Sequence, residues 1–174
     1  MVVIILVGLA RSGKDTVADY IINKYNLVKY TFSDILKEQL EKKEITATKE
    51  RMLELGDLLR QQMGMNAVAQ LLDKKIIEKD NLVLVGPRSI EEIEYFKQKF
   101  SNIKIIKVVA GKDERFERKI EKNQRENKFF ERDKKDLKTK GLQKVLDTAE
   151  LQINNFETKE DLQKEIDTVM QFVI

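Results

Sequence analysis

The run VVIILV (Val2–Val7) leads directly into GLARSGKDTVADY (Gly8–Tyr20), and that junction leaves few folds open. Six consecutive β-branched and aliphatic residues, stopped by a glycine, read as a strand buried on both faces. After it, Val17, Tyr20 and Ile21 fall at helical spacing. Between strand and helix, Gly8, Gly13 and Lys14 nearly complete G-x-x-x-x-G-K-[ST], whose glycines let the backbone wrap with its N–H groups turned inward. Lys14 adds a mobile cation and the helix N-terminus adds its dipole, so the loop is built for phosphate oxygens. A glycine-containing turn with an incidental lysine would spell the same letters, but here both the preceding strand and the following helix are present. Asp15 stands where the hydroxyl residue is expected, and Thr16 follows one place later.

The rest of the chain repeats the pattern. LVKYTF (27–32), NLVLVG (81–86), IKIIKVVA (103–110) and ELQINN (150–155) read as further strands. Helical stretches separate them: one around Ile35–Leu40 with Ser33 as its N-cap, KERMLELGDLLRQQM, NAVAQLLDKKIIEK, one after the capping box Ser89–Glu92, a charged segment 112–136, a short helix near Leu142–Leu146 and one beginning near Thr158. Strands alternating with helices predict an α/β domain whose parallel sheet is covered on both faces, with the site along the edge where the strands end. There is no repeat and no linker, so residues 1–174 read as one domain. With neither cysteine nor histidine in the sequence, thiolate and imidazole chemistry are excluded. Phosphoryl transfer, which asks the protein mainly to position groups and neutralise charge, is not. The longest apolar run is far short of the roughly 20 residues of a membrane span, and no basic region precedes it. A cytoplasmic protein without a membrane partner is expected.

Four other places carry candidate chemistry. Asp34 follows the second strand on the edge of the phosphate loop. It either meets an acceptor hydroxyl or a metal-bound water, or simply opens a helix. Arg88, in VGPRS, lies just past a strand end where an acceptor's phosphate would sit. Arg60, in GDLLRQQMG, either joins it or belongs to a solvated helix face. The segment KDERFERKIEKNQRENKFFERDKKD carries Arg115, Arg118, Arg125 and Arg132, and twelve Lys or Arg stand against eight Asp or Glu in residues 111–140. It reads either as a solvated hairpin or as a lid that closes over the phosphates and shuts out water. Its interleaved carboxylates and lack of an aromatic stacking pattern argue against a nucleic-acid partner.

GLARSGKDT, SDIL, LELGDLLRQQMG, GPRSIEEIEYF, RFER…FFERD and DTAELQINNFETKEDLQKEI together resemble the P-loop nucleotide kinases. More narrowly, they are similar to archaeal-type kinases related to dephospho-coenzyme A kinase, adenylate kinase and deoxynucleoside monophosphate kinase. The resemblance implies a five-stranded parallel sheet of order 2-3-1-4-5, an acceptor-binding helical region at about 33–79 and a lid at about 112–140. It also implies ATP and Mg²⁺, with a small nucleotide as the phosphoryl acceptor. Carried over by position, Gly8, Ala10, Arg11, Ser12, Gly13, Lys14, Asp15 and Thr16 would hold the ATP phosphates. Asp34 would lie at the acceptor or metal, Arg60 and Arg88 at the acceptor phosphate, and Arg118, Arg125 and Arg132 in the lid. Asn154 and Asn155 match the stretch beside the donor base. Relatives often carry a metal-orienting acidic residue at the end of the third strand, where this chain has Val85. Asp15, with or without Asp34, is expected to take over that work, leaving Thr16 for an α-phosphate; otherwise Asp15 only complements the helix dipole. The acceptor is expected to be a (deoxy)nucleoside monophosphate, with dephospho-coenzyme A or a switch lacking transfer chemistry as alternatives. The sequence leaves the donor base and the oligomeric state open.

Overall fold

The computed structural model describes residues 1–77, 80–118, 126–139, 141–156 and 158–174. Its centre is β1 (Val3–Val7), buried at every position. β1 lies between β3 (Leu82–Val85) and β4 (Ile103–Val109), with β2 (Val28–Thr31) and β5 (Leu151–Asn154) at the edges. All pairings are parallel, giving the expected order β2-β3-β1-β4-β5.

Because side chains alternate across a strand, β1 feeds two cores. Val3, Ile5 and Val7 enter one with residues of α2 (Phe32–Glu41), α3 (Lys49–Met63), α4 (Ala67–Asp73), α5 (Ile90–Lys99) and α8 (Leu142–Asp147). Ile4 and Leu6 enter the other with Val17, Ala18 and Ile21 of α1 (Lys14–Tyr25) and Leu162, Ile166 and Met170 of α9 (Lys159–Met170). Each such side chain contributes roughly 1.5–3 kcal/mol on burial. This two-sided demand is why the strand is aliphatic throughout. Because every pairing is parallel, the C-terminal ends of the five strands lie along one edge, the edge that carries the loop after β1.

One local expectation is corrected. The second-strand helix starts at Phe32, with Thr31 as N-cap, and Ser33 sits exposed in its first turn. The early start has a packing reason: Phe32 is buried and meets the edge of Phe96, ring centroids 6.2 Å apart. The charged segment forms two described helices, α6 (Lys112–Glu117) and α7 (Glu126–Thr139). Residues 119–125, between the two, lie outside the described ones. The caps hold: Ser89 Oγ accepts from Glu92 N at 3.2 Å, and Thr158 Oγ1 accepts from Asp161 N at 3.2 Å. Among the described residues no helix is long and apolar enough to cross a membrane.

Candidate functional site

Gly8–Gly13 wraps between the end of β1 and the start of α1. Gly8 is required by close approach, since a Cβ there would lie 2.6 Å from both Ser12 Oγ and the Val108 carbonyl oxygen. Gly13 has φ 96°, and a Cβ on it would run into the Asn155 amide. Arg11 also takes a left-handed conformation, φ 61°, unusual for a residue with a side chain.

Four successive carbonyls of this loop, from Leu9 to Ser12, are each bound by a side chain. Lys14 Nζ donates to Leu9 O at 3.0 Å, and Arg115 Nη1 to Ala10 O at 3.1 Å. Arg118 Nη1 spans Arg11 O at 3.3 Å and Ser12 O at 3.1 Å, while its Nη2 donates to Asn155 O at 2.7 Å. Asn155 Nδ2 donates to Ser12 O at 2.9 Å. With its oxygens engaged by side chains, the loop is left to offer backbone N–H groups, apart from that of Ser12, which donates to Leu9 O at 3.2 Å. That arrangement suits an anion. Beneath the loop the Ser12 hydroxyl is buried, without a hydrogen-bond partner among the described residues.

Cations gather at the same edge. Lys14 is pushed down to about 8, first by desolvation, then by Arg88; Arg115 and Lys49 lower it further, while Asp15 opposes them. An ammonium depressed in this way marks first a desolvated cation and second the presence of further cations around it, and a polyphosphate would relieve both.

Arg60 and Arg88 meet through one buried carboxylate. Arg60 Nη2 donates to Glu92 Oε1 at 2.7 Å, and the Arg88 backbone N–H donates to Glu92 Oε2 at 2.7 Å. Glu92 is 0% exposed. The Ser89–Glu92 cap pattern pointed to this residue only as a helix start; its span of 32 positions to Arg60 leaves no trace in local sequence.

Other expected site residues lie further out. Asp15 is exposed and pairs with Lys29 of β2 at 3.4 Å. Thr16 lines a groove of about 370 Å³ between α1 and α9, together with Tyr20, Lys159 and Gln163. Asp34 is exposed in the first turn of α2. Asn154 turns its amide to Glu165 Oε1 of α9, 2.9 Å away, and its neighbour Asn155 reaches the loop instead. Arg125 lies outside the described residues, as does the side chain of Arg132. Arg115, not singled out from the other arginines of the charged segment in sequence, is buried and paired with Asp133 at 2.7 Å. Among the described residues no group of three or more acidic side chains is clustered for a metal ion.

Known proteins resemble the chain in sequence and in fold. The family model described as deoxynucleotide monophosphate kinase matches residues 2–158. The UPF0200 protein of Thermococcus gammatolerans is 31% identical, over 99% of this chain and 95% of its own. That of Thermococcus sibiricus is 33% identical, over 88% and 85% respectively. Among solved structures, shikimate kinase from Bacteroides thetaiotaomicron superposes with a TM-score of 0.65 over 98% of this chain and 97% of that chain, at 17% identity, a likeness of fold.

Proposed function

The chain belongs to the deoxynucleotide monophosphate kinase family, and from that premise we propose that this P-loop kinase transfers the terminal phosphoryl group of ATP to a (deoxy)nucleoside monophosphate with Mg²⁺. The observation that carries the reading is the bracketed loop: four successive carbonyls held by side chains, one of them by Lys14 with its depressed ammonium. A phosphate chain fits this cradle. It would face the loop amides, restore the charge of Lys14, and lie above a buried Ser12 hydroxyl that still has a bond to give.

In this reading Gly8 to Lys14 hold the donor, and Lys14 follows the negative charge as it moves from donor to acceptor. Glu92 fixes Arg60 and the Arg88 backbone, so that Arg88 meets the acceptor phosphate from a rigid strand end. Arg60 shares its charge with Glu92 and orients this corner. A phosphate acceptor is already anionic, and no general base is called for. Asp34 then serves as a solvent-side carboxylate near the acceptor. Mg²⁺ would supply neutralisation of the phosphate charge and would be bound through its waters. Asp15 and Asp34 are the two carboxylates that would support those waters. Arg118 and Arg115 act on the loop backbone, and the segment bearing them, with Arg125 and Arg132, forms the lid.

The test is coupled ADP release with ATP and Mg²⁺ against AMP, CMP, UMP, GMP, their deoxy forms and dephospho-coenzyme A. Turnover with one or more monophosphates is expected. Release with dephospho-coenzyme A alone, or with no acceptor, would overturn the assignment.

A further inference from the structure

Arg11 stands in a conformation that glycine would adopt freely, and its side chain accounts for the choice. Its Nη1 donates to the Phe116 carbonyl of α6 at 3.1 Å, and its guanidinium lies 4.6 Å from the centroid of Phe129 on α7. Phe129 is 0% exposed. It stands 6.0 Å from Phe116 and 5.3 Å from Phe130, so an aromatic cluster ties α6 to α7. Arg115 faces the same Phe129 ring at 5.6 Å, on its way from Asp133 to Ala10 O. Lys112 lies 4.0 Å over Phe130. The traffic therefore runs both ways: α6 sends Arg115 and Arg118 to the loop backbone, and the loop sends Arg11 back into the aromatic cluster of the two helices.

We propose that Arg11 is a positioning residue that latches the lid helices α6 and α7 to the phosphate loop, so that lid closure and donor-loop geometry are set together. The inference rests on the donor reading of the loop and deepens it. A cation over an aromatic face gains strength as water leaves, and Arg11 sits against a ring already desolvated. Its left-handed backbone is the kind of local strain that persists only where surrounding contacts over-determine it. Here those contacts are the Arg118 bond to its carbonyl and the two side-chain contacts to the lid. Loss of the latch leaves the donor phosphates with their amides and Lys14, yet lets the lid stand away and admit water.

Arg11→Gly and Arg11→Lys test this. Glycine suits φ 61° and keeps the loop path; lysine keeps a cation that can reach the ring. For Arg11→Gly, hydrogen exchange in the nucleotide-free protein should accelerate at 112–118 and 129–133 while β1 and β3 stay protected. ATP affinity should stay within about twofold, since amides and Lys14 remain. The turnover number should fall about ten- to a hundredfold, with a larger share of ATP lost to water. Arg11→Lys should recover part of both. Unchanged exchange with ATP affinity and turnover falling in parallel would overturn the latch and make Arg11 a direct nucleotide contact. Wild-type exchange and turnover in Arg11→Gly would overturn it as well. Exchange and ATP affinity need no acceptor, so this result stands apart from whether any monophosphate is turned over.

Discussion

Replacing Lys14 with Met should make the nucleotide-free protein more stable while it destroys donor binding. The Lys14 ammonium falls from 10.5 to about 8 on folding. Between those values the unfolded chain keeps a proton that the folded chain has released, so stability climbs with pH across that window. Below about pH 8 both states carry the charge and the folded state bears the full burden, about 3 kcal/mol at roughly 1.4 kcal/mol per pH unit. Above about pH 10.5 neither state is charged and the burden is gone. Met matches the length of the side chain without the charge, but forfeits the bond to Leu9 O at 3.0 Å, worth about 1 kcal/mol. The net gain at pH 7 is then about 2 kcal/mol, or ~4–8 °C in the thermal midpoint of a chain this size. Urea unfolding of both proteins without nucleotide, at pH 7 and again near pH 10.5, reads this directly. The gain should vanish or change sign at the higher pH. A Lys14→Met protein no more stable than its parent at pH 7, or one whose gain is the same at both pH values, would refute the account of Lys14 as a cation held at a cost by burial and by its cationic neighbours.

Three further outcomes are expected. Glu92→Ala should cost about 3 kcal/mol in denaturant unfolding, because it leaves the mostly buried Arg60 guanidinium with only its longer, 3.9 Å contact to Asp57; Arg60→Met in the same chain should restore part of that loss, a coupling a double-mutant cycle measures. Gly13→Ala should destabilise by about 1–3 kcal/mol through its left-handed backbone and abolish ATP binding by calorimetry, with a smaller added cost when Asn155 is already Ala. Asp15→Ser removes an exposed pair with Lys29 and should change stability by less than about 1 kcal/mol; its turnover should nevertheless drop at low Mg²⁺ and recover with excess, and full activity at low Mg²⁺ would reduce Asp15 to a helix-dipole partner.

What could be read from residue order was whatever depends on chemistry within a dozen positions. The aliphatic strands, the loop between β1 and α1 and the Ser89 and Thr158 caps are local, and they stand where the pattern put them. The strand order followed from resemblance, since nothing local orders parallel strands. Side-chain direction at strand ends was not legible. Asn154 and Asn155 are adjacent and identical, yet the last alternation of β5 sends the first to α9 and the second to the phosphate loop. Long-range charge pairing was hidden as well. Arg60 and Glu92, or Arg115 and Asp133, look like two more members of charged runs until folding removes both from water. The left-handed Arg11 had no signal, because its letter stands at a place where composition suggests nothing unusual.

The carbonyls bracketed by Arg115, Arg118, Lys14 and Asn155 make the donor loop non-portable. The nine residues from Gly8 to Thr16, grafted between a strand and a helix of another protein, would bring the letters of the motif and one of its four braces. The other three arrive from more than a hundred positions away, on α6 and just beyond β5. A recombinant chimera that exchanges this loop alone should therefore inherit its sequence without its shape. One that also exchanges 111–118 and Asn155 carries the smallest unit able to reproduce it.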